Sequence, residues 1–388
     1  MLLGLLLARE GVDVVVLEKH ADFLRDFRGD TIHPSTLEIL LELGLLDEFL
    51  QRPHQELRDV AARIGDREVR IADFRHVPTH CKFLAMMPQW DFLDFLAGHA
   101  RRLPNFHLLM QTEAVALSVE HGRVVGVQAR AQGGRLDLRA AVTVGADGRH
   151  SLIRREAGLA VEDLGAPMDV LWLRVARHAD DPADLLGQVD AGRAMVMIDR
   201  GDYWQCAVLI EKGSFERVRE RGMAAFRESV RALAPWLGKR VDELRDWDQV
   251  KLLSVTVDRL RTWCRPGLLC IGDAAHAMSP VGGVGINLAI QDAVAAARIL
   301  AGPLRAHDVD LRTLRRVQRR RAFPARATQR VQLLIQDRLI GPVLRARGPL
   351  KPPWFLTLLT RLPWLRRLPA RLIGVGFRPE HLHAPKAA

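Results

Sequence analysis

The 388 residues predict an α/β fold built on a parallel sheet, with an antiparallel sheet domain inserted into it and a helical region at the C-terminus. Three observations carry this. An apolar helix running straight into a β-branched run opens the chain, from Leu2 to Glu18. A buried run at Leu268–Ile271 leads through a glycine-rich loop into an amphipathic helix over 285–300. The stretch of about 165–260 between them is rich in short strand-like runs. At ~100–200 residues per domain, the length accommodates two or three domains, or one large α/β domain with an insertion. The boundaries expected are 1–164 and 261–305 for the two parts of the parallel-sheet domain, 165–260 for the inserted sheet and 306–388 for the helical, basic C-terminal region.

The opening Met1-Leu2-Leu3-Gly4-Leu5-Leu6-Leu7-Ala8 lacks the basic start and the small-residue cleavage site of a signal peptide, and reads as a buried helix. Gly11 suits the position just past that helix, and Val12–Leu17 is a nearly unbroken β-branched run closed by Glu18. Together they are the αβ half of a βαβ unit. Helical periods follow at Leu37, Leu40, Leu41 and Leu45, and again at Phe92, Phe95 and Leu96. Between Phe106 and Val144 an antiparallel meander is expected, with Glu120-His121-Gly122 as the turn between strands at 114–119 and 123–129. Strands at 170–175, 194–198 and 204–210, with one helix near 215–233, make up the inserted sheet domain. After Leu300 the chain is helical and basic, then broken by prolines from Pro342 to Pro369.

Hydrophobic residues at 48% and charged residues at 27% allow a sizeable core and exclude disordered, collagen-like and coiled-coil classes. No apolar run reaches the ~18 uncharged residues of a membrane span. The net charge of +11 is concentrated late, and the arginines between Arg312 and Arg330 read as a solvated helix face. A single Tyr and the lack of aromatic-basic interleaving there speak against nucleic acid as a partner. Cys81, Cys206, Cys264 and Cys270 form no CxxC pair, so neither a metal site nor a disulfide framework is implied and a reducing, cytoplasmic setting is expected. Trp354, Phe355 and Trp364, set among leucines and arginines, resemble an interfacial membrane anchor or a hydrophobic-substrate entrance. The competing reading is that these short helices cover the sheet domain.

Three acids at strand ends carry the chemistry. Glu18 closes its strand where a dinucleotide fold places a carboxylate for two ribose hydroxyls. Asp147-Gly148 lies in Gly145-Ala146-Asp147-Gly148-Arg149-His150-Ser151-Leu152-Ile153-Arg154, a GADGxxSxxR pattern between a strand and a helix start. Gly272-Asp273 is followed by Ala274-Ala275-His276 and the loop Pro280-Val281-Gly282-Gly283-Val284-Gly285-Ile286-Asn287. A strand delivers Asp273 at its carboxyl end, and the helix that follows points its free N–H groups and positive dipole into the crevice. Asp273 suits a polyol chain, and the N–H groups near Gly283, Gly285, Ile286 and Asn287 suit an electron-rich ring.

From Met1 to about Leu300 these motifs resemble those of the class A flavoprotein monooxygenases, the family of para-hydroxybenzoate hydroxylase. The resemblance implies an FAD-binding, Rossmann-like fold of the glutathione reductase type, with the inserted sheet as substrate domain. It implies FAD as cofactor, NADH or NADPH as reductant, and oxygen transfer through a flavin hydroperoxide to an aromatic or lipophilic small molecule. Further residues carry over singly. Arg28 matches an arginine beside the dinucleotide, Gln89 a glutamine that contacts the flavin side chain, and Pro280 a proline whose carbonyl lies near the reacting carbon. Ile286 and Asn287 match backbone donors to the flavin pyrimidine edge, and His276 is expected to be structural. The family's GxGxxG is not among these residues, so an open slot beside Val14–Leu17 and weak FAD binding are expected of the chain as it stands, and a relative without bound flavin, acting as a binding or structural protein, is the competing reading.

Overall fold

The computed structural model describes residues 1–24, 31–182, 187–348 and 350–382. The chain runs α1 (Leu2–Arg9), β1 (Val14–Leu17), β2 (Thr31–Ile32), α2 (Pro34–Glu42), α3 (Leu46–Leu50), β3 (Gln55–Leu57), β4 (Asp59–Ile64) and β5 (Arg67–Asp73). Next come β6 (Leu84–Met86), α4 (Gln89–Ala100), β7 (Phe106–Leu109), β8 (Glu113–Glu120), β9 (Arg123–Ala131), β10 (Gly134–Arg139), β11 (Thr143–Gly145), α5 (Leu152–Glu156) and β12 (Val161–Asp163). The inserted region holds β13 (Met168–Ala176), β14 (Gly187–Asp190), β15 (Arg193–Asp199), β16 (Tyr203–Glu211), α6 (Phe215–Glu220), α7 (Gly222–Leu233) and β17 (Lys251–Leu253). After β18 (Asp258–Leu260), β19 (Cys264–Arg265) and β20 (Leu268–Cys270) the chain is helical: α8 (Gly285–Arg305), α9 (Leu311–Ile335), α10 (Gly341–Arg345), α11 (Trp354–Arg361) and α12 (Arg367–Gly374).

Helix α1 is apolar on every face and buried from Leu2 to Ala8, as a core helix must be. Its Gly4 lets it lie directly on the sheet: a Cβ there would come within 2.8 Å of the Phe106 ring. The parallel strands form two pieces. β1 pairs with β7, Leu17 opposite Leu109, and β11 pairs with β20, Gly145 opposite Cys270. Among the described residues β1 has β7 as its one ladder neighbour, and Val15 is 49% exposed. The expected meander is present as β8, β9 and β10, turning at His121-Gly122 with positive φ.

The inserted sheet has seven strands in the order β17-β13-β16-β15-β14-β4-β5. It is wider than 165–260, because β14 takes β4 as a parallel neighbour, Gly187 opposite Ala62, and β5 follows. Residues 59–73, read above as part of the first domain, therefore belong to this sheet. Within β5, Val69 and Ala72 are buried while Glu68 and Arg70 are exposed, and a bulge opposite Val60 and Ala61 breaks the strict alternation of a strand. One face packs Phe226, Val230 and Leu233 of α7 against Leu173, Trp204 and Val208. Near β5, α11 places Leu356 on Ile64 and Val69, and α12 places Ala370 against Ala72 and Phe74.

Helix α8 is the core of the first layer. It meets the length and hydropathy of a membrane span, and 72% of that apolar window is buried inside the protein. Across it lies α9, whose arginines are not all solvated: Arg321 is 1% exposed and bonds Asp292 of α8 through Nε at 2.9 Å. An arginine at helical spacing can face either way, and a buried acid on the neighbouring helix turned this one inward.

Candidate active site

Strand β20 hands the chain to Gly272 and the half-buried Asp273, and the loop 279–284 then starts α8. Among the described residues Val284, the N-cap of α8, offers no capping side chain, which leaves the first-turn N–H groups of Gly285, Ile286 and Asn287 without a cap from that position. Asp273 sits beside them, its Oδ1 3.9 Å from where a Cβ on Gly285 would stand. The helix dipole thus lies next to a carboxylate and an open set of donors. Gly283 has φ +63, and a Cβ there would lie 2.4 Å from the Thr31 hydroxyl, so only glycine fits this turn. The Gly283 carbonyl accepts from Thr31 Oγ1 at 3.2 Å and lies 3.0 Å from His33 Nε2. Pro280, half-buried, accepts the Gly283 N–H at 3.0 Å and closes the turn.

The N-terminus of α2 is tied to the same place. The Asn287 side chain is buried, its Oδ1 2.9 Å from both the Ser35 and the Thr36 hydroxyl. Thr31 pairs with Met86 across β2 and β6, and Gln89, half-buried, opens α4 three residues further on. Asp273, Pro280, Gly283, Gly285, Ile286 and Asn287 thus share one loop and helix start, and Gln89 is linked to them through β2. Thr31, His33, Ser35 and Thr36 were not foreseen. Their local signal was modest, a Thr-Ile-His-Pro-Ser-Thr run in which Pro34 starts a helix.

The turn is braced from below. Asp292, fully buried, accepts from the Gly272 N–H at 3.0 Å, lies 2.6 Å from His276 Nε2 and pairs with Arg321. Burial pushes its carboxyl up, but His276 and Arg321 together hold it below the usual carboxylate range. His276 is 1% exposed and packs on Trp263, a structural place. Arg321 reaches on to Glu380 at 3.3 Å, which Arg320 also holds at 2.6 Å. From the side, Gln332 Nε2 donates to the carbonyls of Ser279 at 2.9 Å and Val281 at 2.8 Å, fixing both neighbours of Pro280. Gln329 binds the Ala277 carbonyl and Gln336 the Ser279 hydroxyl. Sequence reasoning passed over these three glutamines, although their spacing put them on one helix face among arginines.

The other acids are placed differently. Glu18 is half-buried at the end of β1, its Oε1 accepting from the His20 N–H at 3.0 Å. Asp147 is exposed and uses both carboxylate oxygens in its own turn: Oδ1 takes the Ser151 hydroxyl at 2.5 Å and Oδ2 the Ile153 N–H at 3.1 Å. Gly148 supplies the turn with φ +83. Arg154, the last residue of that pattern, grips Asp258 with two bonds of 3.0 Å. Arg28 lies outside the described residues. No cluster of His, Cys, Asp or Glu that could hold a metal is present among the described residues. All four cysteines are free and buried, and burial pushes the Cys270 thiol up to about 12 and that of Cys81 up to about 11, so neither is a nucleophile at neutral pH.

This fold is shared with flavin-binding enzymes. The sequence profile of the FAD binding domain family matches residues 1–331, and the chain belongs to that family. The 6-methylpretetramide 4-monooxygenase of Streptomyces rimosus is 32% identical over 372 residues, 95% of this chain and 88% of that protein. Rifampicin monooxygenase of Streptomyces venezuelae is 26% identical over 316 residues, 75% of this chain and 60% of its own length. Among solved structures, PqsL of Pseudomonas aeruginosa superposes with a TM-score of 0.74 at 22% identity, covering 88% of this chain and 93% of its own. The anhydrotetracycline hydroxylase OxyS of Streptomyces rimosus gives 0.73 at 23% identity, over 96% and 73%. The two solved structures share the fold. The chain is an FAD-dependent monooxygenase that uses NAD(P)H as reductant and acts on a small molecule.

Proposed function

We propose that the α8 N-terminus, Asp273 and the Gly283 turn hold the flavin end of FAD, with Gln89 contributing from α4, and that the enzyme hydroxylates an aromatic or lipophilic substrate lying against the seven-stranded sheet. The observation that carries this reading is the uncapped start of α8 beside Asp273. Bare backbone donors at a helix N-terminus suit the electron-rich pyrimidine edge of a reduced flavin, and a neighbouring carboxylate suits ribityl hydroxyls. Bound there, FAD supplies reduction by NADH or NADPH and activation of oxygen.

The protein's own residues bind, orient and exclude water. Gln332 fixes Ser279 and Val281 on either side of Pro280, which keeps the loop from relaxing toward a ring packed against it. Thr31 and His33 fix the Gly283 carbonyl, so that the N–H groups after it keep their direction. Glu18 stands apart from this group and suits the adenosine end. The substrate of the Streptomyces rimosus 6-methylpretetramide monooxygenase is the guide to substrate class, because that relative covers nearly the whole chain.

Titration of the purified protein with FAD, followed by flavin absorbance, tests the site. Saturable binding that Asp273→Ala weakens, together with NAD(P)H oxidation that an aromatic substrate accelerates, is expected. Binding unchanged in Asp273→Ala would move the flavin away from α8.

A further inference from the structure

Helix α11 has one apolar face packed on β4 and β5 and a second that is exposed. Leu356 and Leu359 point inward to Ile64, Val69 and Ile71 of β4 and β5. Trp354, Phe355, Leu358 and Leu362, spaced one and two turns apart, are exposed on the outside, Trp354 to 79%. Trp364 and Leu368 continue the exposed apolar surface, at 59% and 64%. Thr357, Thr360 and Arg361 form its remaining, polar side, so the helix carries an exposed apolar face that no partner covers among the described residues.

Charge identifies that partner. From Arg338 to Pro379 the 42 residues contain nine Arg or Lys and no Asp or Glu. Lys351, Arg361, Arg367 and Arg371 are exposed along the same stretch. A second copy of the chain would bring the same cations face to face, which like-charge repulsion opposes. We propose that α11 and the following turn dock on an anionic lipid surface, tryptophans at the headgroup boundary and arginines on the phosphates.

The surface is not remote from the site. Helix α12 continues from it to Ile373 and Gly374, whose carbonyls lie 2.8 Å from His33 Nδ1 and 3.0 Å from Ser35 Oγ. One ordered segment therefore joins the lipid-facing helix to the residues that hold Gly283 and Asn287. Docking would place the substrate sheet, which α11 covers at β5, at the phase where lipophilic molecules concentrate.

Co-sedimentation of the full chain with phosphatidylcholine vesicles, with and without phosphatidylglycerol, tests this without any turnover, so loss of flavin leaves the readout intact. Addition of about one third phosphatidylglycerol is expected to raise the bound fraction roughly tenfold or more, and high salt to reverse it. Trp354→Ala/Trp364→Ala and, separately, Arg361→Glu/Arg367→Glu are each expected to lose that gain while keeping the native circular dichroism spectrum. The second pair lies on the surface and keeps the test alive if the first fails to fold. Failure to bind anionic vesicles, or binding that neither pair weakens, would overturn the proposal. So would a dimer by light scattering that the tryptophan substitutions dissolve, which would give this face to a second copy.

Discussion

Asp147 and Asp273 stand at the carboxyl ends of neighbouring parallel strands, since Gly145 pairs with Cys270, and they are built in opposite ways. Asp147 is exposed and spends its carboxylate on the Ser151 hydroxyl and the Ile153 N–H at the start of α5. Asp273 is half-buried beside a helix whose N-cap residue, Val284, offers no capping side chain. Asp147 is held within its own turn, by Ser151 and Ile153. Beneath Asp273 lie Asp292, His276 and Arg321, and alongside it the carboxamide of Gln332. An acid-glycine or glycine-acid pair at a strand end looks alike in sequence. The two differ in whether the carboxylate is spent on its own turn and in how much of the rest of the molecule holds the backbone beside it.

The largest test of this contrast is the buried brace. Asp292→Ala leaves His276 without its acid and Arg321 with Glu380 alone, and frees the Gly272 N–H. Breaking a buried pair from one side costs about 3–5 kcal/mol, whereas losing the bonds of Asp147 to Ser151 and Ile153 in Asp147→Ala costs about 1 kcal/mol. Urea unfolding of both variants compares them directly. A loss at Asp292 no larger than at Asp147 would mean that the two strand ends are equally supported.

The next effect is on FAD. Asp273→Ala is expected to cost about 1.5–3 kcal/mol of FAD affinity, or tenfold and more, and Glu18→Ala less, because one Glu18 oxygen already accepts the His20 N–H. Equilibrium dialysis of the two variants measures this. Equal losses would place the tighter grip at the adenosine end.

How much of this could be read beforehand depended on whether the signal was local. The α1–β1 pair, the β8–β9 hairpin and the strand-loop-helix around Asp273 are legible because hydrophobic period and turn residues are close in sequence. The membership of β4 and β5 in the inserted sheet was not, because strand pairing of Ala62 with Gly187 spans a long separation that no local pattern encodes. The same holds for Arg321. Its neighbours Arg319 and Arg320 look identical on paper, and only the partner Asp292, on another helix, distinguishes it.

Gly283→Ala against Gly148→Ala gives a smaller and cleaner contrast. Both positions have positive φ, so each alanine pays a backbone term of about 1–2 kcal/mol. At Gly148 nothing lies within 4 Å of the added carbon, whereas at Gly283 it meets the Thr31 hydroxyl. Thermal unfolding should therefore show the larger loss for Gly283→Ala, and FAD retention should fall in that variant alone. Retained FAD in Gly283→Ala would show that the turn tolerates movement.

The smallest effect is one of pH and concerns His33, which joins the Gly283 carbonyl to that of Ile373. Its two ring nitrogens, 3.0 Å and 2.8 Å from these oxygens, would both donate if the ring were charged. Burial opposes that charge more strongly, so its pKa is held below the ordinary 6.5 in spite of the two carbonyls, which pull it upward. The consequence for stability has a definite sign. Above 6.5 the ring is neutral in both the folded and the unfolded chain, and His33 adds no pH dependence. As pH falls through 6.5 the unfolded chain takes up the proton first, so the folded state loses stability until the folded ring also protonates. Unfolding free energies from about pH 7.5 to about pH 5.5 should therefore slope downward toward acid more steeply in the native protein than in His33→Gln, which removes the titration. Asp147→Ala should leave that slope untouched, since His33 braces only the Gly283 side of the pair. A native protein that instead grows more stable toward acid, relative to His33→Gln, would show that the two carbonyls win and that the Gly283 turn is held by a charged ring.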